Sequence, residues 1–573
     1  MGADRPFGMV AVLVAVALAA CAPAAPRVDQ RPDGVAARAE APTRITAAIR
    51  GDPHTLYNVL NLNNAVPGID AVEDLVNAGL TNLDEWAVPF PQLAEAVPTL
   101  ENGLWKLLPD GRMETTWTIQ PGAQWHDGTP FSSRDLLFTT RVVQDRDLPD
   151  FRNVVYDSIE AVEAADARTV TVRWKQPYIE ADRMFSRGLA LPLPEHLLER
   201  AYAENKPGFT QHPYFSQDFV GTGAYRVREW AKGSHMVLEA TDRYPLGRPR
   251  IDEIEVRFIL DANTLVANVL AGAIDVTLGR RLSLEQGLQV GDQWRDGRLE
   301  VAPSNMIMVY PQFIDPSPIV VADLRFRRAL MHGLDRQQMA DALQAGLSTV
   351  AHSWLTPNQP QYRDIEAGVV RYEYDARRAA QIIEELGYAR GLEGGFRDGS
   401  GQRMSVEIRT SAGDDLQEKA MFATADNWQR LGVGVDTSIT PPQRSRDLEY
   451  RSTFPGFDLK SPPNDVRGLR RLHSSQTPLP ETNYGGGNSS RYINAEFDAL
   501  LDRLAMTIPI QERTRVLGQI IHHISDRLNV MGLFYDTQPV LIAHRLQNVN
   551  TARGPGASLT WNAHLWDVRL GDR

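Results

Sequence analysis

The sequence contains almost no cysteine. Among 573 residues there is a single one, Cys21. With one thiol, the chain can form neither an intramolecular disulfide nor a cysteine-ligated zinc or iron–sulfur centre. A chain of this length can bury a core that is large enough to fold without disulfides. The scarcity of cysteine therefore does not exclude a secreted protein, although small disulfide-rich scaffolds are excluded.

The sequence also lacks an excess of positive charge. Its 60 lysine and arginine residues are outnumbered by 72 aspartate and glutamate residues, which gives a formal charge of −12. Proteins that bind nucleic acid must neutralise phosphates with lysine and arginine. We therefore expect no nucleic-acid partner.

The chain has no hydrophobic run long enough to span a membrane. Its most apolar segment, Met9 to Ala20, has twelve residues. As a helix it would extend about 18 Å, whereas a bilayer core is about 30 Å thick. A short apolar run that follows Arg5 is typical of a signal peptide. It ends in Leu18-Ala19-Ala20-Cys21, which resembles the lipobox of bacterial lipoproteins. We predict a lipoprotein signal peptide over 1–21 and lipidation of Cys21; the alternative is a plain secretory signal with a chance cysteine.

Beyond Cys21, the chain passes from a linker to alternating strand and helix patterns. Residues 22–43 are rich in alanine, proline and arginine without apolar periodicity, and we interpret them as a flexible tether. From Arg44 to Ile49 the pattern predicts a strand. Further on, Met404 to Arg409 predicts a strand, Leu416 to Leu431 a helix, and Val433 to Ile439 another strand. This order indicates an α/β fold with largely parallel sheets.

Motifs of common enzymes are missing. The sequence contains no Gly-x-Ser-x-Gly, no P-loop and no His-Glu-x-x-His. His522 and His523 are adjacent, and neighbours on a helix point about 100° apart, so they do not readily share one metal ion. We predict no catalytic residues, no metal site and no cofactor. A surface enzyme and a ligand-sensing receptor component remain alternatives.

Six segments, in this order along the chain, carry a family resemblance. One contains the Trp-His-Asp-Gly turn ahead of a capped helix, and another reads Gly-Thr-Gly-Ala-Tyr. The segments are Thr115–Asp145, Gly221–Tyr225, Ala271–Val276, Asp323–Gly346, Tyr372–Tyr388 and Arg491–Ala505. Together they make the chain similar to family 5 extracellular solute-binding proteins of ABC importers, the peptide/nickel-binding type.

The resemblance implies a two-lobed periplasmic-binding-protein fold, type II, of the large peptide-binding subclass. Its first lobe is discontinuous: we place it at 44–303 with a return segment at 536–573, and the second lobe at 304–535. The chain then crosses between the lobes twice, near 303–313 and 533–540. Two crossings form a hinge that suits closure around a ligand.

The function implied by the resemblance is that of a monomeric substrate-binding lipoprotein. It would be lipid-anchored on the periplasmic or cell-surface side of the membrane, and would deliver a solute to an ABC permease with its ATPase subunits. Peptide is the first ligand expected; an opine, an oligosaccharide or a nickel complex are alternatives. Peptide binders of the family carry an Asp-Tyr pair whose aspartate holds the ligand's amino group. The segment 457–465 (FDLKSPPND) lacks this pair and offers only Lys460 and Asp465 nearby.

Candidate ligand-binding residues come from the crossings and from two loops. The loop 409–414 (RTSAGD) follows a strand and precedes a helix, and ligands of open α/β sheets bind beyond the carboxyl ends of strands. The helix N-terminus there favours an anionic group. The Gly-rich segment 484–490 is the expected mobile loop. The predicted ligand-binding residues are Tyr310, Gln312 and Tyr535 at the crossings, Arg409 and Ser411 in the first loop, and Tyr484 in the second.

Overall fold

A computed structural model describes residues 42–61, 66–279, 282–444, 446–554 and 556–569. The predicted signal peptide, Cys21 and most of the tether lie outside these residues. Residues 42–573 form one compact unit. Within the part of the chain that the structure describes, no helix combines the length and the apolar character needed to cross a bilayer.

Twenty strands occur in the described residues. They are β1 (Arg44–Ile49), β2 (Thr81–Leu83), β3 (Pro89–Pro91), β4 (Trp105–Leu107), β5 (Met113–Thr118), β6 (Ile159–Ala164), β7 (Thr169–Trp174), β8 (Tyr225–Ala231), β9 (His235–Ala240), β10 (Glu253–Phe258), β11 (Val276–Thr277), β12 (Gly297–Pro311), β13 (Ala389–Arg390), β14 (Phe396–Arg397), β15 (Ser405–Ser411), β16 (Gly434–Thr440), β17 (Phe457–Lys460), β18 (Met531–Ala543), β19 (Leu546–Gln547) and β20 (Asp567–Val568). The predicted strand at Arg44–Ile49 is confirmed.

The same residues contain thirteen α-helices. They are α1 (Ile69–Val76), α2 (Ser133–Gln144), α3 (Glu195–Glu204), α4 (Ala262–Leu270), α5 (Leu284–Gln293), α6 (Leu324–His332), α7 (Arg336–Leu343), α8 (Tyr362–Ile365), α9 (Ala376–Glu385), α10 (Asp415–Leu431), α11 (Leu448–Ser452), α12 (Ala495–Met506) and α13 (Ile510–Arg527). The predicted helix at 416–431 is confirmed as α10. It ends at Gly432, whose φ of 108° suits glycine.

The main sheet has ten strands in the order β16-β15-β17-β12-β18-β11-β1-β10-β9-β8. The expectation of largely parallel sheets is wrong for it, because the sheet is mixed. Parallel pairs join β1 to β10 and β11, and β15 to β16 and β17. The other neighbours are antiparallel, since two long strands run past each other at the centre and β8, β9 and β10 follow one another as a meander. A separate four-stranded antiparallel sheet has the order β4-β5-β7-β6.

The hydrophobic core is divided between the two ends of the main sheet. One large cluster is built from residues before β12 and from the C-terminal segment, and it includes Ile45, Trp117 and Trp566. Another contains residues from β12 through the start of β18, such as Ile307 and Trp428. The strands β12 and β18 pair with each other and pass from one cluster to the other. The predicted lobe boundaries at 303 and 535 fall inside these two strands and stay a prediction.

The Gly-Thr-Gly segment holds α1 in place. The Gly223 N–H donates to the carbonyl of Val76, the last residue of α1. A side chain at Gly221 would overlap that same carbonyl oxygen. His126 fits the turn from the other side: its Nδ1 accepts from the Gly221 N–H, and its Nε2 lies 3.0 Å from the Gly223 carbonyl. Burial lowers the pKa of His126 to about 4, so the ring serves this turn in its neutral form.

Candidate functional site

A cavity of about 550 Å³, which we call the hinge cavity, lies between the two predicted lobes. Its walls come from three parts of the chain: segments of the first lobe, segments of the second lobe, and β18 where it crosses between them. The lining includes Arg50, Ser283, Gln286, Ala342, Gln344, Gly413, Asp414, Lys419, Asp536, Thr537 and Gln538. A molecule bound here would contact both lobes and the crossing strand.

Strand ends and helix starts supply the polar groups of the hinge cavity. Arg50 directly follows β1, and Gly413 and Asp414 follow β15. Asp414 caps α10 by accepting from the Gln417 N–H at 3.1 Å. Ser283 caps α5 in the same way, by accepting from the Gln286 N–H. The hinge cavity therefore lies beyond the carboxyl ends of β1 and β15, which agrees with the rule that ligands of open α/β sheets bind there.

Hydrogen bonds fix the crossing strand on the floor of the hinge cavity. The Gln344 side-chain oxygen accepts from both the N–H and the hydroxyl of Thr537, at 2.9 and 2.6 Å. The Gln538 side-chain amide donates to the hydroxyl of Ser304 at 2.6 Å. Because Gln344 belongs to the predicted second lobe, movement of that lobe relative to β18 would strain or break these hydrogen bonds.

Acidic groups outnumber basic ones around the hinge cavity. The cations are Arg50, whose Nε donates to the Leu260 carbonyl, and the exposed Lys419. Four carboxylates, Glu285, Asp414, Asp415 and Asp536, face them. This mixture suits a ligand that carries an ammonium or other cationic group beside polar atoms.

A second cavity, of about 340 Å³, also lies where the predicted lobes meet. We call it the arginine cavity, because Arg183 and Arg187 of the first lobe and Arg467 of the second line it. Its other polar lining residues include Tyr57, Asn58, Asp70, Glu73, Asn82 and Ser186. Arg183 ends a short 3-10 helix between β7 and α3, and Arg187 follows it. Arg467 begins another 3-10 helix, seven residues after β17.

Glu180 connects the two predicted lobes beside the arginine cavity. Its Oε1 accepts from Nη1 of Arg183 at 3.1 Å and lies 3.3 Å from Nε of Arg467. Arg467 Nε also donates to Asp465 at 3.3 Å. Burial and the neighbouring Arg467 cation lower the pKa of Arg183. Two guanidinium groups therefore share the carboxylate of Glu180 across the lobes.

Glu73 is a buried acid on the wall of the arginine cavity. It lies on α1, is only 2% exposed, and accepts the Asn58 N–H at 2.7 Å. Burial raises its pKa to about 8, although the Asn58 hydrogen bond and the charge of Arg187 oppose the shift. The Glu73 carboxyl is therefore mostly protonated at neutral pH, which leaves the cavity more positive than its residue types suggest.

The two loop residues predicted to bind ligand lie outside the lining of both cavities. Arg409 is buried; its Nη2 donates to the Arg451 carbonyl at 2.6 Å and its Nε lies 3.8 Å from Asp458. Ser411 is exposed at the end of β15. Only the end of the predicted loop, Gly413 and Asp414, lines the hinge cavity. Ligand contact by Arg409 or Ser411 stays a prediction.

The aromatic and amide candidates are bonded to other parts of the protein. Gln312 is buried and donates to the carbonyls of Ser452 and Phe454. The Tyr535 hydroxyl lies 2.8 Å from the Ser353 carbonyl, and Tyr310 is buried in a core cluster of the second lobe. Among the described lining residues of the two cavities, neither these three nor Tyr484 occurs; the Tyr484 hydroxyl donates to Glu449. Their ligand roles also stay predictions.

Sequence reasoning did not find the arginine cavity. Arg183, Arg187 and Arg467 lie in or beside short 3-10 helices, where no strand end or glycine motif marks a site. The third arginine is distant in sequence, and only the approach of the lobes brings it to the others.

Comparison with known proteins places this architecture among binding proteins. The family model for "Bacterial extracellular solute-binding proteins, family 5 Middle" matches residues 90–466. The oligopeptide-binding protein AppA of Bacillus subtilis is 23% identical over 512 residues, which are 87% of this chain and 87% of AppA.

Solved structures show the same two-lobed type II fold. The oligopeptide-binding protein from Thermus thermophilus, complexed with a pentapeptide, has a TM-score of 0.69 at 22% identity and covers 92% of this chain and 96% of its own. NikA from Brucella suis, in complex with Fe(III)-EDTA, has a TM-score of 0.74 at 16% identity. The match covers 92% of this chain and 100% of the NikA chain. Since the family model spans well over half of the sequence, the chain belongs to the bacterial extracellular solute-binding proteins of family 5.

Proposed function

We propose that this protein is the substrate-binding component of an ABC import system. It captures a solute between its lobes and delivers it to a membrane permease, which works with ATPase subunits. The observation that carries the proposal is the hinge cavity, whose walls come from both lobes and from the crossing strand β18. A ligand that contacts both lobes binds the closed state better than the open one, and this difference in affinity drives closure.

Peptide is the first candidate ligand. AppA is named as an oligopeptide-binding protein, and the Thermus thermophilus neighbour was solved with a pentapeptide. A metal chelate is the second candidate, because the NikA neighbour holds Fe(III)-EDTA. Both cavities have volumes in the usual range for small-ligand sites, about 300–1,000 Å³. The charged side chains that line both cavities favour a ligand that carries charges.

The proposal includes a lipid anchor and no catalytic role. Cys21 carries the lipid, and residues 22–43 connect it to a monomeric folded body on the periplasmic or cell-surface side of the membrane. The support is the Leu-Ala-Ala-Cys sequence at the end of the signal-like run. An enzyme or a receptor component built on the same fold remains the alternative; finding a permease gene beside this one would favour transport.

Replacing Ala342 by tryptophan should abolish ligand binding or weaken it more than tenfold. Ala342 is exposed on α7 and lines the hinge cavity, so an indole there occupies space that the ligand needs. Ligands are found by thermal shift with free peptides of two to five residues and with metal chelates, and affinities are measured by calorimetry. The control is Ala203→Trp, on the exposed face of α3 outside the lining of the hinge cavity. If Ala342→Trp binds like the parent, the hinge cavity is not part of the site.

A further inference from the structure

Each predicted lobe packs an isoleucine against the core of the other. Ile508 lies in the turn between α12 and α13 of the second lobe, yet it is buried and belongs to the core cluster of the first lobe. Among the described buried residues of that cluster, it is the one that comes from 304–535. In the opposite direction, Ile179 of the first lobe packs against a core cluster of the second. Separating the lobes would therefore expose apolar surface of both isoleucines to water.

A backbone hydrogen bond joins the same two segments. The Ile179 N–H donates to the carbonyl of Ala505, in the last turn of α12, at 3.2 Å. That helix ends at Met506, and Pro509 directly precedes α13. Ile508 therefore stands on a turn of three residues, 507–509, that is fixed at both ends by a helix. The fold itself holds the isoleucine in position, without help from a bound molecule.

The charged pair beside this apolar contact can break without leaving an unpaired charge. Glu180 lies 3.3 Å from Nε of Arg467 across the lobes. Within its own lobe, Glu180 also accepts from Nη1 of Arg183 at 3.1 Å and from the Tyr178 hydroxyl at 3.0 Å. Arg467 has its own partner in the second lobe, Asp465, at 3.3 Å. Because each charge keeps a partner when the lobes separate, opening avoids the large cost of an uncompensated buried charge.

These contacts do not require a solute. Ile179, Glu180, Ala505 and Ile508 do not occur among the described lining residues of the hinge cavity or of the arginine cavity. Of the residues that make the contacts, Arg467 alone lines a cavity. The ligand-free protein can therefore form the same contacts as the loaded protein, and they stabilise the closed state relative to the open state in both.

We propose that Ile179, Ile508 and the Glu180–Arg467 pair form a clasp that holds the two lobes together in the absence of solute. The ligand-free protein is then a mixture of an open and a closed form, and the clasp sets their ratio. Because apparent affinity scales with the fraction of the binding-competent form, the clasp changes the affinity for every solute by a common factor. This inference goes beyond the proposed function, since it concerns the protein without its solute.

Distances between spin labels in the ligand-free protein test the clasp. The labels are attached at Ala165→Cys in the first lobe and Gln511→Cys in the second, both exposed, in the full chain with Cys21→Ser so that no other thiol reacts. Native mass spectrometry verifies that no solute co-purifies, and double electron–electron resonance gives the distance distribution. We expect a short distance, equal to that in this structure, beside a longer one. Ile508→Ser should lower the short-to-long ratio at least tenfold, because burying an isoleucine is worth more than about a factor of ten. Glu180→Gln should lower it about threefold.

Two controls separate the clasp from a general loss of packing. Ile508→Leu keeps the apolar contact, and Ile365→Ser truncates an isoleucine buried within the second-lobe cluster, so both should keep the parent's ratio within about twofold. The long distance alone in the ligand-free parent overturns the inference, and so does an equal ratio in the parent and Ile508→Ser. If Ile508→Ser does not fold, an unchanged ratio in Glu180→Gln overturns it. If no solute binds the protein in a library screen, the proposed function fails, whereas the distances still decide whether the clasp exists.

Discussion

Glu73→Gln should remove a pH dependence of stability worth about 3 kcal/mol between pH 5 and pH 8. Burial raises the pKa of Glu73 to about 8 in the folded protein, against about 4.3 in an unfolded chain. A folded-state pKa above the unfolded value means that stability is fully present at low pH and is lost as the pH rises towards 8. Each pKa unit corresponds to about 1.4 kcal/mol. Glutamine cannot ionise and can still accept the Asn58 N–H.

Urea unfolding at several pH values measures this difference. The parent should lose about 3 kcal/mol more than the variant across the interval, because its buried carboxyl must ionise against desolvation. The matched control is Glu384→Gln, which replaces an exposed glutamate on α9. The unfolding free energy of this variant should stay within about 0.5 kcal/mol of the parent's at each pH. If the unfolding free energies of the parent and of Glu73→Gln change with pH in the same way, the claim that Glu73 is protonated in the folded protein is contradicted.

Cys21→Ser should transfer the protein from the membrane fraction to the soluble fraction almost completely. In the proposed function, the lipid on Cys21 holds the protein at the membrane. Acyl chains bind membranes at about 0.8 kcal/mol per buried CH₂ group, so losing them removes nearly all membrane affinity. Fractionation of cells that express the full chain, followed by immunoblotting, measures the distribution.

A neighbouring substitution controls for effects on secretion. Ala25→Ser lies in the tether and leaves the thiol intact, so this variant should stay in the membrane fraction. Loss of the lipid should also change the mobility of Cys21→Ser on a gel. Membrane retention of Cys21→Ser with unchanged mobility would contradict the lipid anchor.

Local signals in the sequence were enough to predict many single elements. Asp135, three residues after Ser132, predicts a capping box, and the structure has it at the start of α2. Asp335 and Asp375 cap α7 and α9 in the same local way, each accepting backbone N–H groups of the first helical turn. Such interactions are confined to one helical turn, so the local sequence determines them. The mixed pairing of the main sheet depends instead on contacts between β12 and β18, which lie far apart in the chain.

The binding site was harder to predict, because distance in space decides which residues share a cavity. The strand-end rule led to the loop 409–414, and its last two residues do line the hinge cavity. The same rule could not show that Arg409 points into the protein, where Tyr450 and Phe454 stack on its guanidinium. No signal in the sequence marked Arg467 as a lining residue, because its partner Glu180 belongs to a distant part of the chain.

Small-angle X-ray scattering with and without ligand tests the central claim, that the two lobes close on a solute. In this structure the lobes already touch, since the Ile179 N–H donates to the Ala505 carbonyl and Arg467 lies beside Glu180. We therefore expect the protein saturated with its tightest-binding solute to give the scattering curve calculated from the described residues. The ligand-free protein should show a larger radius of gyration, because the lobes open about the crossing strands β12 and β18. An identical radius of gyration in both samples at saturation would contradict closure, and with it the proposed mechanism of capture.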